Sequence, residues 1–360
     1  MTVRALRLAL ALAAALGAAG AGADTFVYVH DYAEANQVHG FVLGPQGLEA
    51  LPGSPFVGPD GPTGVANQCN GYCQTMTWLR EEELLLTSGP GGLTPWHADP
   101  AGVLSPVPGA PFGPGPGLYF GVAAAVRGRE RFAWTADFGA NGLHGFRVED
   151  DGVLTALADG YPVVTGEGPL GLQSRRGVLT VLHSLDNAIA SYAISPDGSL
   201  VEAPDSPRSF EASEAFTLDM DGNGRNVYVG DRGAGSAFFF KIRKRGGALE
   251  PRESNPVSMA LPNVGLGFAL TKGRFVYALS TTGLVQAFRR RRGELNPLGG
   301  PVPLGLSALA HALAPDRHSF AAASNSELRL FRVGAKGDLE STGSAPLAAD
   351  NVNAVLIVKR

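Results

Sequence analysis

His183 and His311 are the side chains of this sequence best suited to take a proton from water near neutral pH, and Arg232 is suited to steady a developing negative charge. A hydrolase that attacks a carbonyl needs both roles: a base to activate water and a donor for the oxyanion. His30, Asp31, Asp137, Asp186, Glu214 and Asp231 stand as candidate ligand-binding groups. Of the whole set, all but Glu214 and His311 follow short apolar runs that read as strands. The aspartates have a competing role. Asp31, Asp137, Asp186 and Asp231 recur at equivalent places of a repeat, with Asn36, Asn141 and Asn187 nearby. Asx side chains there cap tight turns by bonding the backbone, and that is the leading reading for the four aspartates. For the two histidines, too, a structural role outweighs catalysis.

Other chemistry is thinly represented. No nucleophile elbow, phosphate loop or His-Glu-x-x-His run occurs, so no cofactor and no metal is expected. Asp219-Met220-Asp221-Gly222-Asn223-Gly224 faintly resembles a calcium loop but lacks the acidic residue that would close it, and Asp-Gly-Asn-Gly is an ordinary hairpin sequence. The only cysteines, Cys69 and Cys73, are close enough for a small local disulfide in an oxidising compartment. They sit in the odd segment from Gly58 to Gln74, which also carries Asn67, Gln68, Asn70 and Tyr72 and reads either as a recognition loop or as a tolerated insertion. Two basic runs, Lys241 to Arg245 and Arg289 to Arg292, read as solvated edge charge. They have no interleaved aromatics, so no nucleic-acid partner is expected.

The elements that must position these groups come in copies. Each unit reads strand, polar turn, strand, turn with Gly, Leu, then Pro about seven residues on. The anchoring pairs are Leu48/Pro55, Leu104/Pro111, Leu154/Pro162, Leu200/Pro207, Leu249/Pro256, Leu295/Pro301 and Leu339/Pro346. Their prolines recur every 45 to 56 residues. A repeat of this length with four short strands is one blade, so the expected fold is all-β: a seven-bladed β-propeller with four antiparallel strands per blade. The first copy opens on a second strand, Phe26 to Val29. The orphan inner strand is at the other end, Val352 to Val358. Pairing the two closes the ring and leaves no open edge. Glu214 and His311 then fall at or in inner strands and should face the central channel.

Segments such as Phe26-Val27-Tyr28-Val29-His30-Asp31, Asn226-Val227-Tyr228-Val229-Gly230-Asp231 and Ile194-Ser195-Pro196-Asp197-Gly198-Ser199-Leu200 resemble the lactonase-like family of seven-bladed propellers and the related YVTN-type propellers. So do Pro-Gly-Ser-Pro-Phe at 52–56 and Pro-Gly-Ala-Pro-Phe at 108–112. The resemblance implies the propeller scaffold over nearly all of the chain. It also implies, as one function, hydrolysis of a lactone of the 6-phosphogluconolactone type. Enzymes of that type carry Gly-Pro-Arg-His-like segments leading into inner strands. Gly168-Pro169-Leu170-Gly171 occupies such a place without the Arg or the His.

Residues 1–23 read as a signal peptide: Arg4 and Arg7, an apolar run from Leu8 to Ala19, and Ala21-Gly22-Ala23 before Asp24. Its removal would take the formal net charge from −4 to −6 by losing two arginines. No later run is apolar enough to span a bilayer. The expectation is therefore a periplasmic or secreted monomer with its propeller at 24–360. It would be a binding scaffold that takes a small molecule, glycan or protein at the channel mouth. The alternative is a lactone hydrolase acting on an exported substrate.

Overall fold

The computed structural model describes residues 24–32, 36–59, 73–157, 161–221, 223–243, 246–261, 275–291, 294–314 and 318–360, together with the backbone of Gly267–Leu270. The expected signal peptide, Cys69, and the residues Asn67, Gln68, Asn70 and Tyr72 lie outside this set, as do Lys244, Arg245 and Arg292.

The strands form seven antiparallel sheets, each ordered inner, second, third, outer. The inner strands are Val352–Lys359 in blade 1, Met76–Leu79 in blade 2, Tyr119–Arg127 in blade 3 and Pro169–Arg175 in blade 4. Ala215–Met220, Gly267–Leu270 and Ala310–Leu313 serve blades 5, 6 and 7. The ring closes as its sequence requires. Thr25–Asp31 pairs antiparallel with Val352–Lys359, from Thr25 against Lys359 to Asp31 against Val352. Five blades carry one strand more than the repeat suggests. A two-residue strand after the repeat proline pairs with the third strand, as Arg208–Ser209 does with Ala188 and Ile189 after Pro207. The outer strand Leu200–Glu202 has ended before Pro207, which has no N–H to give to a ladder, and the chain re-pairs just beyond it.

Apolar side chains fill the gap between each pair of neighbouring blades. Val27, Val29 and Val352 of blade 1 pack on Ala321 and Leu328 of blade 7, so the closing interface has an apolar core like the others. One packing device repeats. The glycine in the turn between third and outer strands lies under a second-strand Phe of the preceding blade: Gly102 under Phe26, Gly198 under Phe132, Gly337 under Phe275. A tyrosine hydroxyl then bonds the glycine carbonyl, from Tyr28 to Gly102 at 2.8 Å and from Tyr277 to Gly337 at 2.9 Å. In blade 3 Trp134 takes the tyrosine's place, and its indole N–H reaches Gly198 through the Tyr161 hydroxyl.

This device fixes why glycine precedes the repeat leucine. At Gly198, φ is +89°, and an added Cβ would stand 2.5 Å from the Phe132 ring. Gly198→Ala combines a left-handed backbone cost with overpacking and should lower stability by roughly 3 kcal/mol. The measurement is a denaturant midpoint against wild type. A change under about 0.5 kcal/mol, the range of an ordinary surface substitution, would show that this contact does not constrain the blades.

Candidate active site

The inner strands surround a central cavity of about 600 Å³. Side chains two apart on a strand share a face, so Thr217 and Asp219 both line it. At the start of the inner strands the channel is packed with Tyr32, Cys73, Phe120, Leu170 and Phe216, all buried. Toward the strand ends exposure rises. Val126 is 42% exposed, and Arg80 and Arg175 are open to solvent. Among the described residues, then, the cavity opens on the face that carries the turns between inner and second strands. The candidates that follow second strands lie toward the other mouth, which these aromatic and aliphatic side chains fill.

Inside the cavity His311 and Asp219 meet. His311 Nε2 lies 3.6 Å from Asp219 Oδ2, and both side chains are mostly buried. They come from blades 7 and 5, so their contact joins two blades that are not neighbours in the ring. Gln74 crosses from blade 2 to the same place. Its Nε2 donates to the Leu218 carbonyl and sits 3.5 Å from Asp219 Oδ1. Its backbone is left-handed, with φ of +50°. For a residue with a Cβ that conformation is costly and persists only when the surroundings enforce it. Gln74 Oε1, Thr217 Oγ1 and Asn353 Oδ1 are buried without a hydrogen-bond partner among the described residues, and all three residues line the cavity. Buried polar atoms left unpaired are rare because they are costly.

Of the catalytic and ligand-binding candidates named from sequence, His311 alone lines this cavity. The others hold loops. Asp31 accepts the N–H groups of Asp350 and Asn351, both at 2.9 Å. Asp231 accepts those of Ser213 and Glu214, also at 2.9 Å. Asp186 accepts from Glu167, and Asp137 from Gly139 and Ala140. Asp31, Asp186 and Asp231 thus tie down the loop that enters their own blade. The nearby asparagines serve the next blade. Asn141 accepts from Gly168 and Asn187 from Ala215, at 2.9 and 3.0 Å. Arg232 pairs with Glu214 and stacks on Phe216, 4.0 Å from the ring centroid, over the packed end of the channel. His183 is buried off the channel against the Thr165 hydroxyl. His30 is buried between Thr75 and Asn36. Asp221, in the hairpin that resembles a calcium loop, accepts from the N–H groups of Arg225 and Asn226. Of the basic runs, Lys241 and Arg243 pair with Glu250, while Arg290 reaches Asp221 and Tyr228.

Burial holds both His30 and His183 neutral, depressing each pKa from 6.5 to about 4. Between those values the unfolded chain binds protons that the folded chain refuses. Stability is therefore full above about pH 6.5, falls as pH drops toward 4, and levels off below. Each histidine should account for about 3 kcal/mol of that loss. Unfolding midpoints at pH 7, 5.5 and 4 measure it, with His183→Gln expected to remove about half of this histidine-linked slope. Equal stability at pH 7 and pH 4 would contradict it.

The sequence profile of the family described as "Lactonase, 7-bladed beta-propeller" matches residues 123–342. The chain belongs to this family. No curated protein sequence matches it. Among solved structures, the periplasmic gluconolactonase PpgL of Pseudomonas aeruginosa aligns at 16% identity and a TM-score of 0.67, over 93% of this chain and 99% of the other. A candidate 6-phosphogluconolactonase from Bacteroides fragilis aligns at 16% identity and 0.68, over 93% and 98%. The Kuenenia stuttgartiensis hydrazine synthase also aligns, at 12% identity and 0.55, over 82% and 97%. At such identities the likeness is one of fold. Among the described residues no helix is long and apolar enough to cross a membrane.

Proposed function

We propose that the lactonase-family propeller hydrolyses a lactone in its central cavity, outside the cytoplasm, and that hydrolysis outranks the binding-scaffold reading. The observation that carries this is the His311–Asp219 pair, 3.6 Å apart in a cavity of about 600 Å³. That volume suits a small ring compound. In this reading the Asp219 carboxylate orients the imidazole through Nε2, and Nδ1 acts as the base. It takes a proton from water as the water oxygen bonds to the lactone carbonyl carbon. The carbonyl π pair moves to oxygen, with the Thr217 hydroxyl available as a donor to it. As the intermediate collapses, the ring C–O bond breaks and the imidazolium returns its proton to the departing oxygen. The product is an open hydroxy acid. No separate nucleophile is needed, which agrees with the absence of a nucleophile elbow.

Export is part of the proposal and rests on the leader-like residues 1–23, as does the Cys69–Cys73 disulfide on an oxidising compartment. The test is a panel of five- and six-membered lactones, followed by proton release and product acid. Ring opening that is linear in enzyme, well above the spontaneous rate, supports the reading. An inert protein across the panel returns the advantage to a binding scaffold.

A further inference from the structure

Gln74, with its left-handed backbone, precedes a residue that blade 1 holds in place. Thr75 is fully buried, and its hydroxyl lies 2.7 Å from His30 Nδ1. The other ring nitrogen, Nε2, is 2.6 Å from Asn36 Oδ1. Taking that oxygen as the acceptor assigns the His30 proton to Nε2 and leaves Nδ1 to accept from Thr75. The imidazole stays neutral in this buried setting, so the arrangement has one polarity: Thr75 to His30 to Asn36. Blade 1 thereby grips the chain at the entry to blade 2. The next inner strand grips it from the other side, with Val122 N–H donating to the Gln74 carbonyl at 2.9 Å. Held at both ends, residue 74 takes φ of +50° and sends its carboxamide across the channel to Leu218 and Asp219.

We infer that His30 and Thr75 are positioning residues: they fix Gln74, whose carboxamide sets the Asp219 carboxylate against His311. The inference rests on the reading of this cavity as the active site. The consequence is that a residue with no contact to substrate controls turnover. His30 acts through three side chains in succession, from blade 1 through blade 2 to blade 5. Misplacing Asp219 by a fraction of an ångström loosens the base without changing the shape of the cavity, so kcat should respond more than KM.

Thr75→Val keeps the shape of the side chain and removes the hydroxyl, whereas Thr75→Ser keeps the hydroxyl. Thr75→Val should lower kcat roughly 10- to 100-fold with KM changed by less than about threefold, and Thr75→Ser should restore most of the loss. Gln74→Ala should match Thr75→Val. The double variant should be no slower than Gln74→Ala alone, because both changes remove the same interaction. Equal losses in Thr75→Val and Thr75→Ser, or losses that multiply in the double variant, overturn the inference. If Thr75→Val does not fold, Gln74→Ala carries the test, and an unchanged kcat overturns it. If the wild type opens no lactone, the reading of the cavity fails on its own. Crystal structures then decide the inference. In Thr75→Val, Gln74 should leave the left-handed region and its carboxamide should leave Asp219, and a Gln74 unmoved in that structure refutes the positioning role.

Discussion

A chain ending at residue 351 should not fold. The missing strand supplies Val352, Ala354, Val355, Ile357 and Val358, all buried. These side chains belong to two interfaces at once: Val352, Val355 and Ile357 to the core shared with blade 7, and Ala354 and Val358 to the core shared with blade 2. Burying an aliphatic side chain of this size contributes about 1.5–3 kcal/mol, so their sum is on the order of 10 kcal/mol. A domain's whole net stability is only about 5–15 kcal/mol. The loss reaches further than the side chains. Thr25–Asp31 would become an open edge, and Asn325 would lose the Val352 N–H it holds at 3.0 Å. Asp31 would keep Asp350 and Asn351 as partners on a tail with nothing to anchor it. An exposed apolar edge strand of this kind also invites aggregation. Far-ultraviolet circular dichroism and a thermal melt of the truncated chain give the answer. A synthetic peptide of residues 352–360 added during refolding should recover part of the signal. A cooperative melt within a few degrees of full length, without the peptide, would show that the ring does not depend on this closure.

The fold was legible because repetition amplifies weak local signals. A single strand such as Asn226 to Val229 proves little, but seven copies of the same strand, glycine, leucine and proline order admit few other architectures. Closure was legible for the same reason: one copy lacks an inner strand and the far end has one to spare. The site was legible only in part. His311 stood out because it is a titratable residue within an inner strand, one face of which borders the channel. Thr217 and Asp219 carry the same two-residue alternation, yet Asp219 also begins a hairpin-like run and so passed for turn chemistry. Gln74 ended a segment that read either as a recognition loop or as a tolerated insertion. Its reach to Asp219 joins blades 2 and 5, and no spacing along the chain encodes which blades face each other across a ring. The two-residue outer strands escaped notice because each has a single ladder step or two and no periodicity of its own. Asp31, Asp186 and Asp231 recur because each fastens the loop that enters its own blade, and a demand repeated from blade to blade leaves little room for a unique chemical role.

His311→Ala should lower the turnover of any lactone the protein opens by roughly 10²- to 10⁴-fold, the range for loss of a general base. KM should change little, since the cavity keeps its walls. Asp219→Asn should cost less on its own, because an amide can still contact the ring while the charge that favours the imidazolium is gone. The two changes together should be no worse than His311→Ala alone, as expected of groups that act as a unit. His183→Ala provides the contrast. That histidine is equally suited to proton transfer by residue type, but it is buried off the channel against Thr165, and burial holds its pKa near 4. Its removal should lower the unfolding midpoint and leave kcat of the folded fraction within about threefold of wild type. Arg232→Ala should behave in the same way, since Arg232 is engaged with Glu214 and Phe216 at the packed end of the channel. The reverse pattern, with turnover lost in His183→Ala and kept in His311→Ala, would move the chemistry out of the cavity and onto the loops between second and third strands.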